Sequence, residues 1–183
     1  MAYCPQTLSD INASCDSSVG GVKATAIRNR SDVTGITITD GVVTAITLDT
    51  SEDHPAADDA TVLSFRPQTC QLSSEGTIDD VQGVHFYTHT LAFRFPRMTA
   101  AKRMSIHALT HAETIAIVKD NNGTYWLVGN EEPLRASAVT ASTGTAHTDA
   151  NEYVPTLACV SPYLLYTVDS TAVATFLGDA VID

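Results

Sequence analysis

Six histidines, four cysteines and a surplus of carboxylates are the groups in this sequence that could do chemistry. His107 and His111 stand four apart in a stretch of helical composition, a spacing at which two imidazoles can share one metal ion. No Glu follows His107, so the pair is not the HExxH motif of zinc proteases. His85 and His89 are also four apart, but on a β-patterned run, where that spacing separates them by about 13 Å. Adjacent acids occur at Asp58-Asp59, Asp79-Asp80 and Glu131-Glu132. Neighbouring acids in a loop are solvated, whereas hydrolysis needs a pair held across a cleft. Asp120-Asn121-Asn122-Gly123 begins like a calcium loop but lacks the remaining ligand spacing and the terminal Glu. The cysteines (Cys4, Cys15, Cys70 and Cys159) form no CxxC pair, which removes zinc ribbons and thioredoxin-type redox motifs. No GxSxG, Walker or GxGxxG pattern occurs. The sequence therefore assigns no catalytic residue, no cofactor-binding residue and no metal ligand, and it points away from an enzyme.

The elements around these residues read as β structure. Thr34–Thr39 and Val42–Leu48 are β-branched runs joined by Asp40-Gly41, the usual two-residue hairpin signal. Glu113–Lys119 and Thr124–Val128 repeat the pattern around Asp120–Gly123. Val22–Arg28, Thr61–Arg66, Thr69–Ser74, 134–143, Glu152–Val160 and Tyr163–Val168 are further strand candidates. A long strand is expected over Val84–Phe95, ended by Pro96. With the strand before Gly76–Gly83 it would form a hairpin arm, 66–95. Thr99 is a good N-cap, and 99–111 has the composition of a helix of about three turns. Its apolar side would be Ala101, Met104 and Ala108, with Ile106 and Leu109 beside them. The expected fold is mainly β: a sandwich or barrel of about nine to eleven strands, with one packed α-helix and a long hairpin arm. Residues 1–20 read as an N-terminal arm, 21–168 as the β-sandwich domain and 169–183 as a C-terminal extension that docks on a neighbour. Phe93, Phe95, Ile115, Ile117, Trp126 and Leu157 are the expected core. Cys70 and Cys159 lie in strand-like runs as small buried hydrophobes; Cys4 and Cys15 could bridge or stay free.

Composition limits the partners. Hydrophobic residues make up 44% of the 183, and charged residues 17%, against a usual quarter or so. Thr, Ser and Ala replace the missing charge, which suits a surface covered by neighbours. The net charge is −11, from 21 acids and 10 bases. The densest basic stretch is only Arg94, Arg97, Lys102 and Arg103, far from the clustered cations of a nucleic-acid binder. No charged-then-apolar leader and no apolar run of transmembrane length is seen, so synthesis in a cytoplasm, and no membrane partner, are expected.

Three blocks carry a family resemblance: Phe95-Pro96-Arg97-Met98-Thr99-Ala100-Ala101-Lys102-Arg103; Ile115–Gly129 (IAIVKDNNGTYWLVG); and Thr143–Tyr153 (TGTAHTDANEY). Together with Cys4, Cys15, Gly20-Gly21-Val22-Lys23 and Gly41–Ile46, they resemble virion structural proteins of phages and prophages of gut Bacteroidota, including crAss-like phages. The resemblance covers about residues 1–160. The strand, helix and hairpin order is also similar to that of phage tail tube proteins, which have two packed sheets, one helix and a long arm, and stack as hexameric rings with an acidic lumen.

That resemblance implies a virion subunit whose partners are copies of itself, in hexameric rings, and other virion proteins, with phage DNA passing transiently and unbound. Lumen candidates are Asp79, Asp80, Glu113, Glu131 and Glu132, with the acidic loop 49–60 as the alternative. The weak N-terminal arm and residues 168–183 depart from the tail-tube pattern. They leave open a capsid auxiliary (decoration) or head–tail connector role. A glycan-binding sandwich would need exposed aromatics, and the single Trp, Trp126, lies inside a hairpin.

Overall fold

The computed structural model describes residues 11, 17–49, 60–79 and 81–182. The expected N-terminal arm and the acidic loop therefore fall largely outside the described residues, as do Cys4, Cys15, Asp58, Asp59 and Asp80.

β1 (Val22–Asn29) leads through a single 3-10 turn into the hairpin of β2 (Val33–Thr39) and β3 (Val42–Leu48). β4 (Thr61–Leu63) comes next, then the long hairpin of β5 (Cys70–Asp79) and β6 (Val84–Phe93), and the two-residue β7 (Phe95–Pro96). α1 (Ala100–His111) precedes a third hairpin, β8 (Thr114–Asp120) and β9 (Tyr125–Val128). β10 (Arg135–Ser142), β11 (Glu152–Ser161), β12 (Tyr166–Val168) and α2 (Ser170–Leu177) follow. Seven strands form one sheet in the order β2-β3-β12-β9-β8-β1-β4, and β10-β11-β6-β5 form a second, with β7 paired to β11. The sheets face each other as an open sandwich and not as a closed barrel. Side chains from both meet in one apolar cluster, which includes Val118 and Val128 from the first sheet and Leu91, Phe93 and Leu157 from the second.

The turns follow from their residues. Asp40 and Gly41 both have positive φ, 51° and 79°, as a type I′ hairpin turn requires. In the β8–β9 turn, the Asp120 carboxylate accepts from the amides of Asn122 and Thr124 and from Trp126 Nε1. The same turn anchors the lead-in to β1: Asn121 Nδ2 donates to the Gly20 carbonyl and Val19 N to Asn122 Oδ1.

The seven-stranded sheet is covered on both faces. Ile115, Ile117 and Leu127 pack with Val173, Phe176 and Leu177 of α2, while Ala116, Val118 and Val128 face the second sheet. This explains why β8 reads as an unbroken apolar run instead of an alternating one. Each of the Val, Leu, Ile and Phe side chains among these contributes roughly 1.5–3 kcal/mol on burial.

Four expectations need correction. The strand number among the described residues is twelve, because Arg94 interrupts the run 84–95 and Phe95–Pro96 pairs separately with β11. A second helix, α2, occupies the segment expected to be a docking tail; Phe176 is fully buried and Ile182 nearly so. Asp169 caps it by accepting from Thr171 N. Conversely, α1 forms where expected, with Thr99 accepting from Lys102 N, but only Ile106 on it is buried and Met104 is 63% exposed. Phe95 and Trp126 are half-buried, not core; Phe93, Ile115, Ile117 and Leu157 are fully buried. Trp126 stays near the edge of the core because its indole N–H reaches Asp120 in the turn.

Candidate functional site

The groups that could do chemistry are dispersed or already occupied. Among the described residues no three of His, Cys, Asp and Glu are grouped to hold a metal ion. The rings of His107 and His111 meet edge to face, 4.8 Å between centroids, on the exposed side of α1. His85 is exposed and bonds Tyr87, whereas His89 is buried between Ser74 Oγ, 2.8 Å from Nδ1, and the Tyr163 carbonyl, 3.1 Å from Nε2. Burial pushes the His89 pKa down from its ordinary value. Burial also pushes the thiol of Cys70 up to about 12 and that of Cys159 up to about 11, so both stay protonated and unreactive. Glu131 and Glu132 do gather with His89, Cys159 and Tyr166, but around a cavity of only about 10 Å³, water-sized and too small for a substrate.

The surfaces are more informative. Along β5, β6, β10 and β11, the residues that alternate away from the core form one broad face. None of them is buried. Its side chains are mostly uncharged, among them the short Ser73, Thr88, Thr90, Ala92, Thr140 and Thr156 and the apolar Val84, Phe86, Val154 and Val160. The cations on this face are matched: Arg94 bonds Glu152, whose carboxylate holds the guanidinium above its ordinary pKa, and Arg135 bonds Glu113 at 2.5 Å. Glu75 and Asp79 add unmatched negative charge along β5. Both outer strands of this sheet, β10 and β5, have one edge without a strand neighbour among the described residues.

The second surface is the hairpin arm. The sequence places it at 66–95, and the continuous β5–β6 ladder runs from Cys70↔Phe93 to Asp79↔Val84. Its base is buried and its distal end is not: Ile78 is 66% and Val81 96% exposed. The strand continues through Gly76, whose missing Cβ leaves room for the Tyr87 ring opposite, 3.1 Å from where that atom would lie.

The third is a groove of about 510 Å³ between α1 and the β1–β4 edge, lined by Ile27, Leu63, Phe95, Ile106 and Leu109 with Lys102 at its side. Lys102 Nζ donates to the Pro96 and Arg97 carbonyls, fixing the entry to the helix.

Of the acids expected to line a lumen, Glu113 reaches the broad face through Arg135, and Asp79 ends the arm, where it accepts from the amides of Val81 and Gln82. Glu131 and Glu132 sit in the loop after β9 instead. The role of Glu152 as the Arg94 partner was not legible, because the two are distant in sequence and meet only through the β7–β11 pairing. The apolar tip had a signal: Ile78 and Val81 stand within turn chemistry, where buried residues are not expected.

No protein-family model, no curated protein and no solved structure matches this chain.

Proposed function

We propose that this chain is a structural subunit of a virus particle, of the phage tail-tube kind, whose copies close into rings, six to a ring, that conduct DNA. The observation that carries the reading is the broad face of the four-stranded sheet. A conduit must not attract phosphate, since every Lys or Arg that contacts DNA adds a salt-dependent pull. Here both cations are matched by carboxylates and the remaining charge is acidic. Symmetry multiplies that bias: a carboxylate repeated around a ring gives a repulsive field at short range.

The open edges supply a way to close the ring. β10 of one copy can pair with β5 of the next, which removes the unpaired strand edges that a lone sheet exposes. Such a contact joins two different surfaces of the same chain, the type that yields rings when the rotation closes. The wall so formed presents mostly uncharged side chains inward, Thr, Ser and Ala with Val and one Phe among them. The resemblance of the sequence to tail tube proteins agrees with this arrangement, and other virion proteins are the remaining partners.

The test is imaging of the purified full chain by negative stain, followed by an assembled structure at side-chain resolution. Hollow tubes or six-fold rings, with the broad face inside, support the reading. A neutral or basic inner surface, or no channel wide enough for a duplex, refutes it and leaves a capsid decoration or head–tail connector role.

A further inference from the structure

One pair of side chains serves neither the core nor the sheet surfaces. His107 and His111 lie on the exposed side of α1, one helical turn apart. Helix geometry places the Cβ atoms of such a pair about 5–6 Å apart on one face. Among the described residues, neither imidazole takes part in a hydrogen bond or an ion pair. They contact each other instead, with ring centroids 4.8 Å apart and planes at 79°. An imidazole nitrogen sits about 2.0–2.1 Å from a zinc-class ion, and the ring centre lies roughly 1.2 Å further back. Two rings on one ion, at bond angles between about 90° and 110°, therefore have centres about 4.5–5.4 Å apart. The observed separation falls inside that range. The backbone that carries the pair is fixed: Ile106 is buried, Thr99 caps the first turn, and Thr110 Oγ1 donates to the His107 carbonyl at 2.6 Å in the last. Joining both rings to one ion then costs little beyond side-chain rotamer freedom.

We infer that His107 and His111 chelate one divalent ion of the copper(II), nickel(II) and zinc(II) class. Imidazole nitrogen suits these ions, whereas calcium and magnesium take oxygen ligands. His111 is in the last turn of α1, where the partial negative charge of the terminal carbonyls favours a bound cation. Arg103, one turn before His107 on the same face, opposes it. Glu113 follows two residues after His111, but its carboxylate is held by Arg135, so it supplies no third ligand. With two neutral ligands the ion keeps its double charge, and water fills the remaining coordination positions. The site is therefore open and exchangeable, unlike the closed four-ligand sites that hold folds together. It goes beyond the ring-forming reading and does not depend on it.

The experiment titrates nickel(II) into the full chain by calorimetry. Cys4→Ser and Cys15→Ser form the background, which leaves only the buried thiols of Cys70 and Cys159. One ion per chain should bind. His107→Gln and His111→Gln, each alone, should weaken that binding at least about tenfold, because a single imidazole loses the gain from a linked second ligand. Both side chains are exposed, so the metal-free melting temperatures should match that of the parent. His85→Gln, at an exposed histidine that bonds Tyr87, should leave the affinity unchanged. Magnesium should give no binding heat at this site. Nickel isotherms that are alike in the parent and both α1 variants overturn the site. A loss confined to one of the two variants does the same, as does an equal loss in His85→Gln.

Discussion

Replacing Phe176 with alanine removes the largest side chain that joins α2 to the seven-stranded sheet. The ring is fully buried, packed with Ile115, Ile117 and Leu127, and the Arg28 guanidinium lies 5.7 Å from its centroid. Phe→Ala in a core costs about 3–5 kcal/mol, through lost transfer energy and the cavity left behind. A shielded cation over an aromatic face adds roughly 1 kcal/mol. The hydrogen bond that the Arg28 side chain donates through Nε to the Phe176 backbone carbonyl is retained by the variant, so it contributes nothing to the difference. The expected loss is about 4–6 kcal/mol, a large part of the roughly 5–15 kcal/mol that holds a domain together. At roughly 2–4 °C per kcal/mol for a chain of this size, the melting temperature should fall by about 8–24 °C. Urea unfolding followed by the fluorescence of Trp126 measures it, and Phe176→Leu, costing about 1.5 kcal/mol, supplies a folded comparison. A loss below 1 kcal/mol for the alanine variant would refute the packing argument. It would return residues 169–183 to the role of a tail that docks elsewhere.

Trp126→Ala should cost about 2 kcal/mol, less than a full core deletion because the indole is half-buried, and Trp126→Phe should recover most of it; a loss above 4 kcal/mol would show that the ring is sealed in. Asp120→Ala strips one carboxylate that serves two amides and the indole N–H, and should lower stability by about 1–3 kcal/mol in urea melts; no change would mean that water replaces those bonds without loss. Burial lowers the folded-state pKa of His89 below the ordinary 6.5, so the unfolded chain binds the proton first. The stability from its neutral form is complete above pH 6.5 and declines as pH falls toward the folded pKa, at up to about 1.4 kcal/mol per pH unit. A His89→Gln variant should show a flatter stability profile between pH 6.5 and the onset of carboxylate protonation, and identical profiles would reject the assignment. Deleting 75–83 should leave a folded monomer that no longer assembles, and intact rings from that deletion would remove the arm as a contact.

Local signals in the sequence located the hairpins and α1 because their causes are local. Asp40-Gly41 demands positive φ at both residues, and Thr99 can reach the amide of Lys102 without help from any distant element. α2 escaped although Ala172, Val173, Phe176 and Leu177 stand at helical spacing between Asp169 as N-cap and Gly178 at its end, because Thr171, Val173 and Thr175 are strand formers and eight residues give only about two turns of pattern. Its helical state is imposed by the sheet beneath it. The half-exposure of Phe95 and Trp126 was likewise illegible, since aromatic type says nothing about where an element overhangs its partner. The arm was visible as two strands around Gly76–Gly83, but its projection from the body depends on where the opposing sheet ends. The broad face was hidden for the same reason: Thr and Ala alternate there without any motif, and their meaning comes only from β10, β11, β6 and β5 lying side by side.

The placement of β12 has a bearing on how the chain reaches this state. β12 lies between β3, to which it runs parallel, and β9, to which it runs antiparallel, so among the described strands it alone joins the β2–β3 hairpin to the rest of the first sheet. Val42 and Val43 must therefore wait for Thr167 and Val168, which leave the ribosome long after them. Until then the β2–β3 hairpin has an unpaired side, and two-stranded hairpins are marginal in water. Closing such a long loop is slow, and it places this step of sheet formation after β12 itself has been made. A nascent chain should thus present the arm and helix long before it holds a finished sheet, and refolding should show a late phase in which β12 docks. Variants that weaken the Thr167–Val42 pairing should slow that phase more than they slow the formation of the β8–β9 hairpin.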